Sequence, residues 1–360
     1  MLFVGRTRYR LPLSPSLAQK FDALAGQFEV RVFASAAPGT TGDGTFRLVG
    51  TLRPRVLDGL AFWLSLPVRT ARLLREFQPR AVFCQTPYDA AAALLARRIA
   101  RVPVKVIVEV HGDWRTSTRL YGSPARRLVS LLGDQVAQLA LRRADAVRTV
   151  SPFTARLVRE LGVEPAADFP AFMYLTPFTG EMVPLPVEPT ALFVGVLEAY
   201  KNVDGLAKAW ALAAPRLPGA SLRVVGKGSR SDVAESLVRE HGVRWDRDLS
   251  SAEVAEAIDG AWVLVLPSRS EGMGRVLVEA FCRGRGVIGT RAGSIPDLVE
   301  DDISGLLVEP DDPQALADAF VRVLSDRGLA ERLGEAAASA AAPWLQTPEQ
   351  YAERMRELVG

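Results

Sequence analysis

Cysteine and histidine each occur only twice in 360 residues, and both scarcities exclude chemistry. Cys84 and Cys282 stand in apolar surroundings, which predicts buried free thiols in a reducing compartment rather than a disulfide. Two cysteines and two histidines at these separations assemble no metal cluster, so no metal site is expected. Long apolar runs are also missing. The longest, Leu57 to Val68, is broken by Asp58 and Pro67 and falls short of the about 20 residues that cross a bilayer. The chain opens on the strand-like Leu2–Gly5, which leaves no room for a secretory leader and predicts a cytoplasmic protein. Lysine is rare too: only five of the 44 basic residues are lysines. Two of them, Lys201 and Lys227, fall in loops that follow predicted strands.

What is present is globular in composition and long enough for two domains with cores of their own. The net charge of +3 hides an asymmetry. Residues 1–180 carry 25 basic and 13 acidic side chains, a net +12, while 181–360 carry 19 and 28, a net −9. The basic half suits an anionic surface or acceptor. Nucleic acid is not expected as a partner, because the arginines are dispersed through strand and helix patterns with few interleaved aromatics.

The most informative stretch runs from Ala261 to Ala280. Ala261 to Leu266 reads as a buried parallel strand, short, partly β-branched and bounded by breakers. A loop follows with Glu271, Gly272, Met273 and Gly274, and then Val276, Leu277, Ala280 and Phe281 recur at helical spacing from Arg275 onward. A helix that starts at the carboxyl edge of an open α/β sheet presents unpaired N–H groups to a phosphate or sugar oxygen. Glu271 and Glu279, with seven residues between them, are nearly two turns apart. They are too far apart to share a proton, which disfavours a glycosidase pair. Two separate hydrogen-bonding tasks on one extended ligand, or two solvated acids favoured by the helix dipole, are the readings left open.

Pro267 and Ser268, Glu271 to Gly274, Glu279, Gly286, Gly293, Asp297 to Glu300, Gly305 to Pro310 and Leu316 together resemble the C-terminal signature of the family-four retaining glycosyltransferases. The resemblance is strong over 190–342, weaker over 80–160 and poor before residue 60. It implies the α/β GT-B fold, two Rossmann-like doubly wound parallel-sheet domains with an interdomain cleft. On this expectation 1–180 is the acceptor-side domain, 181–342 binds the nucleotide sugar, and 343–360 is a terminal helix crossing back to the first domain. A proline-rich, aperiodic stretch, Pro165 to Pro189, is the linker signal between them.

The resemblance also implies an activity: sugar transfer from a nucleoside-diphosphate-sugar to an acceptor hydroxyl, with no metal or other cofactor. Glu271 would hold the sugar, Met273 and Gly274 would offer backbone N–H groups, and Glu279 would bind the ribose. Gly272, Arg275, Val276, Gly195 and, near the base, Trp245 complete the expected donor site. Lys201 matches the family's diphosphate lysine, but Val196 stands where an arginine is common. Arg275, Arg269 and Lys227 are the candidates to replace that charge. His111, after the strand Val104–Val110, falls in a His-Gly loop that the family places beside the transferred sugar; a single histidine is otherwise commonly structural.

The first loop, Arg6 to Pro15, departs from the family's glycine-rich one, and Arg6, Arg8 and Arg10 either grip an acceptor phosphate or form a solvated basic loop. In the helical pattern Leu57–Phe77, Leu57, Leu60, Ala61, Leu64, Val68, Ala71 and Leu74 form the expected core stripe. Phe62, Trp63, Leu66 and Leu73, with Arg69, Arg72 and Arg75 nearby, are left either for an anionic membrane surface or for a helix packed on two sides. A glycan or lipid acceptor at the inner face of the cell membrane fits that reading. Two alternatives of other classes remain: a nucleotide-sugar epimerase or hydrolase of the same fold, and a catalytically silent partner subunit.

Overall fold

The structure, a computed structural model, describes residues 1–50, 55–116 and 124–360, and the side chains of these except 55–60 and 124–131. The chain forms two compact units: Met1–Tyr174 with Gln346–Gly360, and Leu175–Leu345.

Unit 1 is built on β1 (Leu2–Tyr9), β2 (Arg31–Ala36), β3 (Phe46–Val49), β4 (Ala81–Cys84), β5 (Lys105–Val110), β6 (Ala146–Thr149) and β7 (Ala167–Asp168). They lie in the order β3-β2-β1-β4-β5-β6-β7, paired in parallel. Runs such as Ala81–Cys84 can be apolar throughout because a parallel sheet is covered on both faces. Side chains alternate between the two covers. Leu2 and Val4 meet the core under the helices Arg55–Phe77, Pro87–Ala100 and Pro124–Arg143, whereas Phe3, Phe83 and Ile107 meet Tyr351, Met355 and Leu358 of the last helix, Pro348–Val359.

Unit 2 repeats the winding with β8 (Thr190–Val194), β9 (Ser221–Val225), β10 (Arg244–Asp246), β11 (Val263–Leu266), β12 (Gly286–Thr290) and β13 (Gly305–Val308), in the order β10-β9-β8-β11-β12-β13. In each sheet the first strand is central, the next two run outward on one side and the later ones on the other. The direction of winding therefore reverses between β1 and β4 and between β8 and β11. Loops that leave the carboxyl ends of strands there diverge, and ligands collect in the gap.

Three expectations are corrected. Arg6 to Tyr9 belong to β1 rather than to a loop. Val4 pairs with Phe33 but Arg8 with Ser35, so Gly5, Arg6 and Thr7 form a bulge that turns side chains away from the ladder. The stripe assigned to the helix Arg55–Phe77 holds at Ala71 and Leu74, which are buried, but fails at Leu64 and Val68. Phe62, Leu66, Thr70 and Leu73 are buried, while Leu64 is 72% and Val68 63% exposed. Both sets satisfy helical spacing, and the bulk of Phe62, stacked on Phe33 of β2 at 6.2 Å, decides which faces the sheet. The helix runs through Pro67, and Leu57 and Leu60 lie outside the described side chains. Cys84 is buried as expected, but Cys282 is only partly covered; both thiols are free.

Candidate functional site

In unit 2 the loops after β8 and β11 meet because those strands are neighbours. The first turns through a short 3-10 segment, Ala199–Lys201, and is closed by Asn202, which caps the helix Val203–Ala213. The second ends at Gly274, whose φ of 62° starts the helix Arg275–Cys282 with no side-chain cap. Arg269 ties the two loops: its backbone N–H donates to the Tyr200 carbonyl at 2.7 Å and its guanidinium to the Ala199 carbonyl at 2.6 Å.

Within this frame the ammonium of Lys201 is paired with Oε1 of Glu271. Both side chains are nearly enclosed, at 11% and 10% exposure, and Ser268 Oγ donates to the same carboxylate oxygen at 2.7 Å. Gly195 lies against this lysine, since a β-carbon there would stand 3.6 Å from Lys201 Cε. Glu279 projects from the helix body. Burial pushes its carboxyl above the usual range, against the pull of Arg275 and Lys201, and Arg275 Nη2 stands 4.0 Å away. Met273 is buried in the turn, and Gly272 and Val276 flank it half-buried. The position of Glu271 is set from behind by Gly293, at φ 59°.

Val196 is 48% exposed and brings no charge. Of its three candidate substitutes, Arg269 is engaged by Asp311 at 2.7 Å and Lys227 by Asp248. Arg275, half-exposed at the start of the helix, is the one beside Glu279. Trp245 donates its indole N–H to the Gly226 carbonyl at 2.9 Å and carries the Arg247 guanidinium 4.3 Å from its ring centre. Its place is the edge of β10, against the loop after β9. The glycines of that loop are required, since a β-carbon at Gly226 would lie 1.9 Å from the Gly195 carbonyl oxygen.

In unit 1, His111 leaves the end of β5 with its side chain 43% exposed, 3.9 Å from Glu109. Glu109 is buried and ion-paired with the fully buried Arg148. Burial opposes the charge of Glu109, but Arg148 and His111 hold its carboxyl well below the usual carboxylate range. Arg148 in turn lies under Phe169, 3.9 Å from its ring centre, and donates to the carbonyls of Phe169 at 3.0 Å and Pro170 at 2.8 Å.

His111 borders a cavity of about 620 Å³ at the gap between β1 and β4, into which the β1 bulge delivers Arg6 and Thr7. Gln85, Thr86 and Asp89 line it from the end of β4 and the helix start beyond, with Tyr88 and, from the helix Arg55–Phe77, Trp63. The structure thus brings Arg6 and His111 to one cavity and leaves Arg8 and Arg10 exposed outside it. Gln85 and Asp89 were not anticipated, and Ser268 was read only as part of the signature, without a role in the site. Their signal was available in principle: each follows a strand adjoining a reversal point.

Residues 185–340 match the family model of glycosyl transferases group 1, and residues 14–167 match that of a glycosyl transferase 4-like domain. A D-inositol 3-phosphate glycosyltransferase of Corynebacterium urealyticum is 34% identical over 46% of this chain and 42% of its own length. The chain therefore spans less than half of that relative in the match. Among solved structures, sucrose-phosphate synthase from Thermosynechococcus elongatus aligns with a TM-score of 0.78 at 20% identity, over 99% of this chain and 98% of the other. Anabaena HepE in complex with UDP-glucose aligns with a TM-score of 0.71 at 17% identity, over 99% of both chains. At those identities the likeness is one of fold. Two sheets of one winding and family matches over both halves lead to a single conclusion: the chain belongs to the group 1 glycosyltransferases of GT-B fold.

Proposed function

We propose that the enzyme moves a sugar from a nucleoside-diphosphate-sugar to an acceptor hydroxyl with retention of configuration and without a resident metal or cofactor. The observation that carries this is the enclosed Lys201–Glu271 pair, with Glu279 nearby, at the reversal point of unit 2. A bound donor would exchange partners with this pair: a diphosphate oxygen takes Lys201, and sugar hydroxyls donate to Glu271. Ribose hydroxyls donate to Glu279, while the N–H groups of Met273 and Gly274 and the uncapped helix start face the phosphates. As the glycosidic bond breaks, negative charge grows on the diphosphate, and Lys201 with Arg275 opposes it. The leaving phosphate oxygen takes the acceptor proton on the same face of the sugar, so no protein base is assigned; the resemblance would give His111 a place beside that sugar. The complex of HepE with UDP-glucose supports a uridine nucleotide as the first donor to try.

Incubation with UDP-glucose, UDP-N-acetylglucosamine and GDP-mannose, read as thermal stabilisation and slow hydrolysis, tests the donor half. Activity survives a chelator; loss that magnesium or manganese restores would overturn the metal-free mechanism. The exposed Val196 favours one second reading, a silent partner subunit, which would bind nucleotide and hydrolyse none.

The acceptor side is proposed to lie at an anionic membrane surface, on the inner face of the cell membrane. No helix among the described residues is long and apolar enough to cross a membrane. The support is exposed apolar side chains on two helices that cover the same core of unit 1, Leu64 and Val68 on one and Leu132, Val136 and Leu139 on the other, with Arg69, Arg72 and Arg142 of those helices also exposed. Apolar side chains that enter the headgroup layer between cations suit anionic lipid.

A further inference from the structure

The two members of the Lys201–Glu271 pair are anchored differently. Glu271 is held from behind: Ser268 Oγ donates to its carboxylate at 2.7 Å, Thr290 Oγ1 at the end of β12 donates to the Ser268 carbonyl at 2.5 Å, and Ser268 and Thr290 are both buried. Lys201 ends a short 3-10 turn whose own bonds are local, from the Lys201 N–H to the Glu198 carbonyl at 2.9 Å and from the Asn202 N–H to the Ala199 carbonyl at 3.2 Å. Such a turn is a weak platform by itself, because 3-10 hydrogen bonds are poorly aligned. Arg269, two residues before Glu271, carries it onto the neighbouring loop. Its N–H donates to the Tyr200 carbonyl and its Nη1 to the Ala199 carbonyl at 2.6 Å, so one residue grips two successive carbonyls of the turn. Its Nε donates to Asp311 Oδ1 at 2.7 Å, in the loop after β13. Asp311 holds a φ of 63°, a conformation that suits glycine and that aspartate adopts at a cost. What the acid adds at that position is a partner for Arg269.

We propose that Arg269 is a positioning residue for the donor site: with its guanidinium held by Asp311, it fixes the Ala199–Lys201 turn on the loop that carries Glu271 and so sets where the Lys201 ammonium stands. The inference rests on the glycosyltransferase reading and deepens it. A donor diphosphate that takes Lys201 displaces the contact to Glu271, and the bonds from Arg269 are then what keep the two loops together. The guanidinium is not spare charge for the diphosphate, since Nη1 is committed to Ala199 and Nε to Asp311. The ion pair with Asp311 is partly open to water and adds little stability of its own; its effect is on placement. The rigid fork of an arginine suits that task, because it reaches acceptors on two loops at once, whereas a lysine brings a single nitrogen.

Amide hydrogen exchange on the free full chain and calorimetric titration with UDP test the assignment in parallel. In Arg269→Gln and in Asp311→Gly the main-chain bond to Tyr200 survives, so the turn loosens without being lost. The amides of Lys201 and Asn202 are expected to exchange about tenfold faster in both, while those of β11 keep their wild-type rates. UDP is expected to bind about tenfold more weakly to Arg269→Gln and to Arg269→Lys alike. Asp311→Gly melts at least as high as wild type, because glycine relieves the backbone there, yet it too loses UDP affinity. Arg269→Gln combined with Lys201→Ala binds UDP no more weakly than Lys201→Ala alone, as expected of a residue that acts through Lys201. The proposal is overturned if the exchange of the turn is unchanged in both variants, if Arg269→Lys binds UDP like wild type, or if the losses in the double variant multiply, since Arg269 would then touch the diphosphate itself. Wild type that binds UDP no better than Lys201→Ala removes the donor reading, and the exchange rates then decide by themselves whether Arg269 holds the turn.

Discussion

Gly293 backs directly onto Glu271: a β-carbon at position 293 would lie 2.2 Å from the Glu271 carbonyl oxygen, to which the Ser294 N–H donates at 3.0 Å. With φ at 59°, a side chain there meets both strain and collision. Gly293→Ala is expected to push the Glu271 loop from its place and lower kcat/KM at least tenfold in a protein that still folds. Steady-state kinetics beside a far-UV melt check this; unchanged kinetics would show that the loop tolerates displacement.

Removing either member of the Lys201–Glu271 pair leaves a nearly enclosed charge without its partner. The two losses are expected to differ in kind. Lys201→Ala weakens nucleoside-diphosphate binding and turnover together, because its charge serves both. Glu271→Ala lowers mainly kcat, by roughly 10²-fold if its contact to the sugar strengthens as the bond breaks. Calorimetric titration with the nucleoside diphosphate and single-turnover rates separate the effects; equal losses of affinity would contradict the division.

Asp89 links the cavity of unit 1 to stability. Burial pushes its carboxyl up to about 7, against the hydrogen bonds from Thr86, whereas the unfolded chain titrates in the ordinary range, about 4. The native state thus holds the proton more tightly. The contribution of Asp89 to stability is fullest below about pH 4 and is lost as pH rises toward 7. Asp89→Asn cannot lose a proton, so it is expected to melt above wild type at pH 8, by an amount on the order of 2–4 kcal/mol, with the gain vanishing near pH 4. Calorimetry at both pH values measures it, and a gain that does not depend on pH would refute the assignment.

The proposed lipid face gives a salt-dependent expectation. The protein co-sediments with phosphatidylglycerol vesicles and little with phosphatidylcholine ones, less so at high salt, since exposed charges are screened over about 8 Å at physiological ionic strength. Leu64→Asp with Val68→Asp and Arg72→Glu releases it. Wild type that ignores phosphatidylglycerol vesicles at low salt would sink the idea.

Where local rules operate, the sequence could be read closely. Ser151 caps the helix that Pro152 opens, completed by Thr154 in a capping box, and β11 with its glycine loop and helix lies where the motif predicts. Long-range choices were hidden. Nothing local says that Lys201 meets Glu271, 70 positions away; strand order decides that. Nor does helical spacing tell which apolar side of Arg55–Phe77 faces the sheet, because both sides satisfy it. The β1 bulge was unreadable for a related reason: an irregularity of register exists only relative to β2. Asp89 resembled any first-turn acid, and only the enclosure of its second oxygen sets it apart.

The assignment of Gln346–Gly360 to unit 1 sets an order of completion during synthesis. All of Leu175–Leu345 is polymerised before Gln346 is joined, so the residues of unit 2 leave the ribosome ahead of the last helix. Unit 1, though begun first, waits for its last helix. Until then the face carrying Phe3, Phe83 and Ile107 lacks Tyr351 and Met355, and Arg148 lacks the Tyr351 ring 5.5 Å away. The half of the chain made first is the half finished last, and a nascent chain stalled before Gln346 leaves an open apolar face beside the Arg148–Glu109 ion pair.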